Sequence, residues 1–102
     1  MQDGLQTGLI SIHLDLALAY ERLERADDAA RELAAARELA EAVAAKAPTN
    51  AQAQFQLAAA YWVSGEVQKA QASLAQAVRC NASLAAQWER LEKRFALLRA
   101  GP

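Results

Sequence analysis

Residues 57–61 read LAAAY and residues 16–20 read LALAY, 41 residues apart. The likeness continues downstream at fixed offsets. Leu57 and Ala58 lead to Tyr61, Ala70, Leu74 and Ala77; Leu16 and Ala17 lead, at the same spacings, to Tyr20, Ala29, Leu33 and Ala36. A third start follows at Trp88, with Leu91 three residues on and Phe95 four after that. Small residues at matched places are what two closely packed helices need. Ala17 and Ala58 suit the point where the first helix of a pair touches the second, and Ala29 and Ala70 the point where the second touches back. A larger side chain at either place forces the helices apart, at a cost of about 1–3 kcal/mol.

Working outward, residues 9–20, LISIHLDLALAY, alternate apolar residues as a half-buried strand would, yet also fit a helix apolar on more than one side. The continuation ERLERADDAARELAAARELAEAVAAKA decides for helix, because Ala, Glu, Arg and Leu are helix formers and poor strand formers. Five helices are predicted, at about 6–24, 27–46, 50–63, 67–80 and 84–99. Asp27 and Asp28 suit the positive N-terminal end of the second helix, and Pro48 stops it. TNAQ, residues 49–52, is a capping-box pattern with Thr49 as N-cap and Gln52 three residues on. Gly65 can take positive φ in the turn SGE. Asn81 is expected to end the fourth helix in the left-handed region, and Ser83 to cap the fifth. Gly101 and Pro102 close the chain. Short connections imply antiparallel neighbours.

This pattern resembles the tetratricopeptide repeat, a helix pair marked by Trp, Leu, Gly or Ala, Tyr, then Ala, a large apolar residue, Ala and Pro. The resemblance covers roughly residues 10–97. It implies an all-α fold, an α-α superhelix of five antiparallel helices: two pairs plus a C-terminal closing helix. Residues 1–8 form a tail or a junction to upstream chain. Repeat one is 10–48 with an extended second helix, repeat two 49–82, and the closing helix 83–100, all within one domain, 9–102. The family repeat is 34 residues; the seven extra here fall after Ala36 and lengthen helix two by about two turns. Ala82 stands where the closing Pro is expected, His13 and Gln54 fill the Trp slot that only Trp88 keeps, and Glu24 replaces Gly65 in a poorer first turn. Tyr20, Tyr61 and Phe95 are expected to fill the wedge between repeats.

The chain has 102 residues, 54% of them hydrophobic and 23% charged, with a net charge of −1. That gives no electrostatic case for nucleic acid or for an anionic membrane, and no apolar run is long enough to span a bilayer. The opening MQDGLQTGLI lacks the parts of a signal peptide; the cytoplasm is the expected compartment, with an upstream signal or anchor left open. The Ala- and Arg-rich composition suggests a bacterial source. One cysteine, Cys80, precludes an internal disulfide and reads as a small semi-buried hydrophobe. His13, the single histidine, has no nucleophile or orienting acid beside it in sequence and reads as a packing residue with a satisfied nitrogen. Metal ligands are lacking, the alternating charges of helix two read as a solvated face, and NAS at 81–83 is a weak glycosylation match. The chain is therefore read as no enzyme, with no cofactor, no metal and no catalytic residue.

What remains is a surface for a protein or peptide. In the family that this chain resembles, the first helix of each pair lines the concave side. Spacing puts Leu14 and Leu18 there from helix one, Phe55, Ala59, Trp62 and Val63 from helix three, and Arg90, Lys93 and Leu97 from helix five. The expected ligand is an amphipathic helix or extended segment with apolar anchors and a few acidic residues. The family's carboxylate clamp uses Lys and Asn where Leu14 and Leu18 stand, so that clamp is absent. The alternative is self-association: if Ile12, Leu16, Tyr20 and Leu23 face the core, then Ile10, Leu14 and Leu18 are left for a second copy in a homodimer, or for upstream residues.

Overall fold

Alanine at the contact points and leucine at helical spacing give five α-helices and no strand among the described residues: α1 (Gln2–Arg22), α2 (Ala26–Lys46), α3 (Ala51–Val63), α4 (Val67–Cys80) and α5 (Leu84–Ala100). The computed structural model describes residues 2–100, and side chains over 8–97. The closing Gly101 and Pro102 lie outside the described residues. α1 takes in residues 2–8, where the sequence predicts a tail, and ends before 24. α2 has 21 residues and α4 has 14, so the seven-residue excess is helical, as expected. α1 packs on α2 and α3 on α4 as two hairpins, the pairs meet through α1, α2 and α3, and α5 lies mainly against α1.

The repeat is visible in the backbone. In the first turn the N–H groups of Leu23, Glu24 and Arg25 donate to the carbonyls of Ala19, Glu21 and Tyr20; in the second, Ser64, Gly65 and Glu66 donate to Ala60, Trp62 and Tyr61. Every donor and acceptor of one turn is the other's shifted by 41. Such bonds close a helix through a residue in the left-handed region. Gly65 supplies it at φ 84°, while Glu24 is forced to φ 60°. A side chain with a Cβ is strained there by about 1 kcal/mol, so Glu24→Gly should raise the melting temperature by about 4–8 °C. The mirror change, Gly65→Ala, should lower it by a similar amount, because a Cβ there meets nothing within 4 Å and the backbone alone sets the cost. Thermal denaturation of both variants checks the pair.

The alanine seams are buried as the spacing predicts. Ala17, Ala36, Ala58 and Ala77 are fully buried, and Ala29 and Ala70 nearly so. Three local expectations differ. Asn50, not Thr49, caps α3, its side chain accepting from the Ala53 N–H. Both residues can cap, and helix entry one residue later selects Asn50. Asn81 is extended at φ −150° rather than left-handed; its carboxamide oxygen accepts from the N–H and hydroxyl of Ser83 at 3.1 and 2.7 Å, so the Ser83 hydroxyl turns back to Asn81. Cys80 is exposed, since the last turn of α4 projects past the core.

Candidate functional site

Among the described residues no open apolar groove runs along Phe55 and Trp62 of α3, because α5 packs on them. Leu84, Trp88 and Phe95 of α5 are buried, at the 4- and 7-residue intervals that put them on one helix face. Trp88 meets Phe55 edge-on at 5.7 Å between ring centroids and Trp62 edge-on at 6.5 Å, while Phe95 stacks on Trp62 at 5.6 Å. The Trp88 indole N–H donates to Glu92 at 2.6 Å, and Arg94 pairs with Asp15 of α1. The residues expected to line the groove divide accordingly. Leu14, Leu18, Phe55, Ala59 and Val63 are buried in the core. Trp62 is half-buried under α5, and Arg90, Lys93 and Leu97 of α5 are exposed. What is left between α1, α3 and α5 is a shallow cleft of about 580 Å³ edged by Gln52, Gln56, Gln87, Arg90 and Arg94.

On α1 the two apolar stripes are exchanged relative to expectation. Ile10, Leu14 and Leu18 face the core, whereas Ile12 is 54% and Leu16 38% exposed; Leu23, beyond the helix end, is 65% exposed and Tyr20 is half-buried. The reason is α5. Packed against α1, it brings Leu84, Trp88 and Phe95 into one core cluster with Ile10, Leu14 and Leu18, and the opposite stripe is left outside. Leu9, 40% exposed, and exposed Ala19 complete a seam at 9, 12, 16, 19 and 23. Its alternation of three and four residues is that of a coiled-coil contact line. The equivalent positions in α3, 41 residues on, include Ala53 and Ala60. Those two are buried at 2% and 0%, in a helix that lies against both α1 and α2. Two of the five seam positions are thus buried in α3 and exposed in α1, while the counterparts of Leu16 and Leu23, Leu57 and Ser64, are half-buried and that of Leu9, Asn50, is exposed. The sequence signal is the 3–4 spacing itself, which the expectation that Ile12, Leu16, Tyr20 and Leu23 face the core assigned to the wrong side.

The three members of the Trp slot each have their polar atom engaged: His13 Nδ1 lies 2.5 Å from Glu32, Gln54 donates to the Pro48 carbonyl at 3.0 Å, and Trp88 bonds Glu92. Tyr61 donates to Glu41 at 2.9 Å. Burial, and then that bond to a carboxylate, push its phenol above the ordinary value of 10.0. A raised pKa makes this contribution to stability complete below about pH 10, and it fades as pH rises beyond that. Among the described residues no group of three or more His, Cys, Asp or Glu is placed to hold a metal ion, and no helix is long and apolar enough to cross a membrane. Comparison with protein-family models, with curated proteins and with solved structures finds no match.

Proposed function

We propose that this chain is a non-catalytic protein–protein interaction module of the tetratricopeptide-repeat kind, and that it engages protein through the bare seam of α1. The observation that carries the reading is the pairing of Ile12 and Ala19 with Ala53 and Ala60: two matched repeat positions, buried in α3 and exposed in α1. Contiguous apolar surface of this kind marks contact sites, and helical repeats bury such faces against neighbours. The family assignment is supported by the two turns repeated at 41 residues and by the 34 residues from Tyr61 to Phe95, the family's own period. A photo-crosslinking side chain at Leu16 should give protein adducts in cells, and the same probe at exposed Glu38 of α2 should give few. Equal yields at the two positions would remove the reading.

A second reading keeps a ligand on the concave side, in the cleft that α5 leaves. An acidic extended segment fits there, because Arg90 is exposed and has no ion pair among the described residues. Adducts from a probe at Gln87, in place of Leu16, would select it.

A further inference from the structure

Resting on the α1 reading, we propose that the occupant of the seam is a second copy of the same chain, with the two α1 helices antiparallel. A line of apolar residues alternating by three and four is self-complementary, since each residue can sit between those of an identical helix. The direction is chosen by the flanking charges. Asp15 precedes Leu16 and Arg22 precedes Leu23, so both occupy the same flank of the seam. In an antiparallel pair with Leu16 against Ala19 of the second copy, and Ile12 against Leu23 of the second copy, each Asp15 faces an Arg22. Two symmetric ion pairs result. A parallel pair sets Asp15 beside Tyr20 and forms neither. Arg22 is exposed and has no ion pair among the described residues. Asp15 is bound to Arg94, and a carboxylate has lone pairs enough for a second cation. On the opposite flank His13 meets Tyr20, with no like charges opposed. The small Ala19 lets the helices approach closely at the centre.

The seam spans about four turns and buries on the order of 1,000 Å² in total, the lower end for a specific interface. The dimer is therefore concentration-dependent, forming at about tens of micromolar. It joins two stacks end to end through α1.

The test is sedimentation equilibrium on the 102-residue chain, with circular dichroism to confirm folding. The wild type should shift with concentration from its 11.0 kDa mass toward twice that value, and Ile12→Glu with Leu16→Glu should stay at the monomer mass with unchanged helix content. Arg22→Glu should weaken the dimer at least tenfold, and 0.5 M salt should weaken it less. Direction is read by disulfide formation in a Cys80→Ser background. Ile12→Cys and Leu23→Cys should crosslink when mixed, and neither should crosslink alone; self-crosslinking of each would overturn the antiparallel arrangement. A wild type monomeric at several hundred micromolar overturns the second copy as occupant, while the crosslinking contrast of Leu16 and Glu38 would still stand if another protein fills the seam. A dimer that survives both glutamates overturns the seam itself, and the α1 reading with it.

Discussion

Leu18→Glu should abolish cooperative folding, whereas Ile12→Glu, six residues away on the same helix, should leave a dilute sample folded with its melting temperature nearly unchanged. Leu18 has no exposed surface. Glutamate there would either carry a charge into the apolar core cluster or hold a proton above its usual pKa, and both are costly. The loss is about 5 kcal/mol or more, the range reserved for buried unpaired charge and large cavities. A domain of this size has only about 5–15 kcal/mol in total. Ile12 is more than half exposed; a surface change of this kind moves stability by about 0.5 kcal/mol, and glutamate is a good helix former. Urea titration by circular dichroism at low micromolar concentration compares the two. The reverse result, Ile12→Glu unfolded and Leu18→Glu intact, would mean that α1 sits on its other face and that α5 does not cover it.

Trp88→Ala should be the most damaging truncation in α5. Its ring packs edge-on against both Phe55 and Trp62, and it is 7% exposed. Removing a buried aromatic costs about 3–5 kcal/mol, which lowers the melting temperature of a domain this small by about 15–25 °C. Trp62→Ala should also destabilise, by less, because Trp62 is half-buried and loses its stack on Phe95. The pair separates a core role from a surface one. If Trp62→Ala left the melting curve unmoved, α5 would be detached from α3 and the concave side would be an open groove after all. Tryptophan fluorescence in the surviving single-Trp variants would report the same thing through solvent exposure of the remaining ring.

The hairpins were legible because they are specified locally. Alanine at 17, 29, 36, 58, 70 and 77 leaves one way for two neighbouring helices to approach closely, and Gly65 marks a turn that Glu24 then repeats under strain. The face of α1 was not legible, for a reason equally physical. Ile10, Leu14 and Leu18 form one apolar stripe and Leu9, Ile12 and Leu16 another. Both are chemically fit for a core, and the choice between them is made by tertiary packing, in which α5, some 70 residues downstream, takes part beside α2 and α3. A helix apolar on two sides carries no local record of which side its own chain will cover. The groove was misread through the same gap. Phe55 and Trp62 were correctly placed on one face of α3, but the aromatic partners for that face, Trp88 and Phe95, belong to the chain itself. The helix cap at Asn50 was missed by one residue because Thr49 and Asn50 are both competent acceptors.

The seven residues that lengthen α2 make about two turns, and the angular error they introduce is only about 20°. Height along the helix axis and direction around it are therefore separate variables in this fold. A segment of seven can be gained or lost beyond Ala36 and every side chain after it still points where it did, so the joints at either end need no redesign. An insertion of five or nine would swing the exit of α2 by well over a right angle and aim Pro48 and all that follows away from the stack. Heritable change in this molecule has a short set of permissive step sizes, of which seven is the smallest that keeps the direction to within about 20°. Lineages that take such steps should differ in the reach of the first hairpin while keeping the pitch of the staircase.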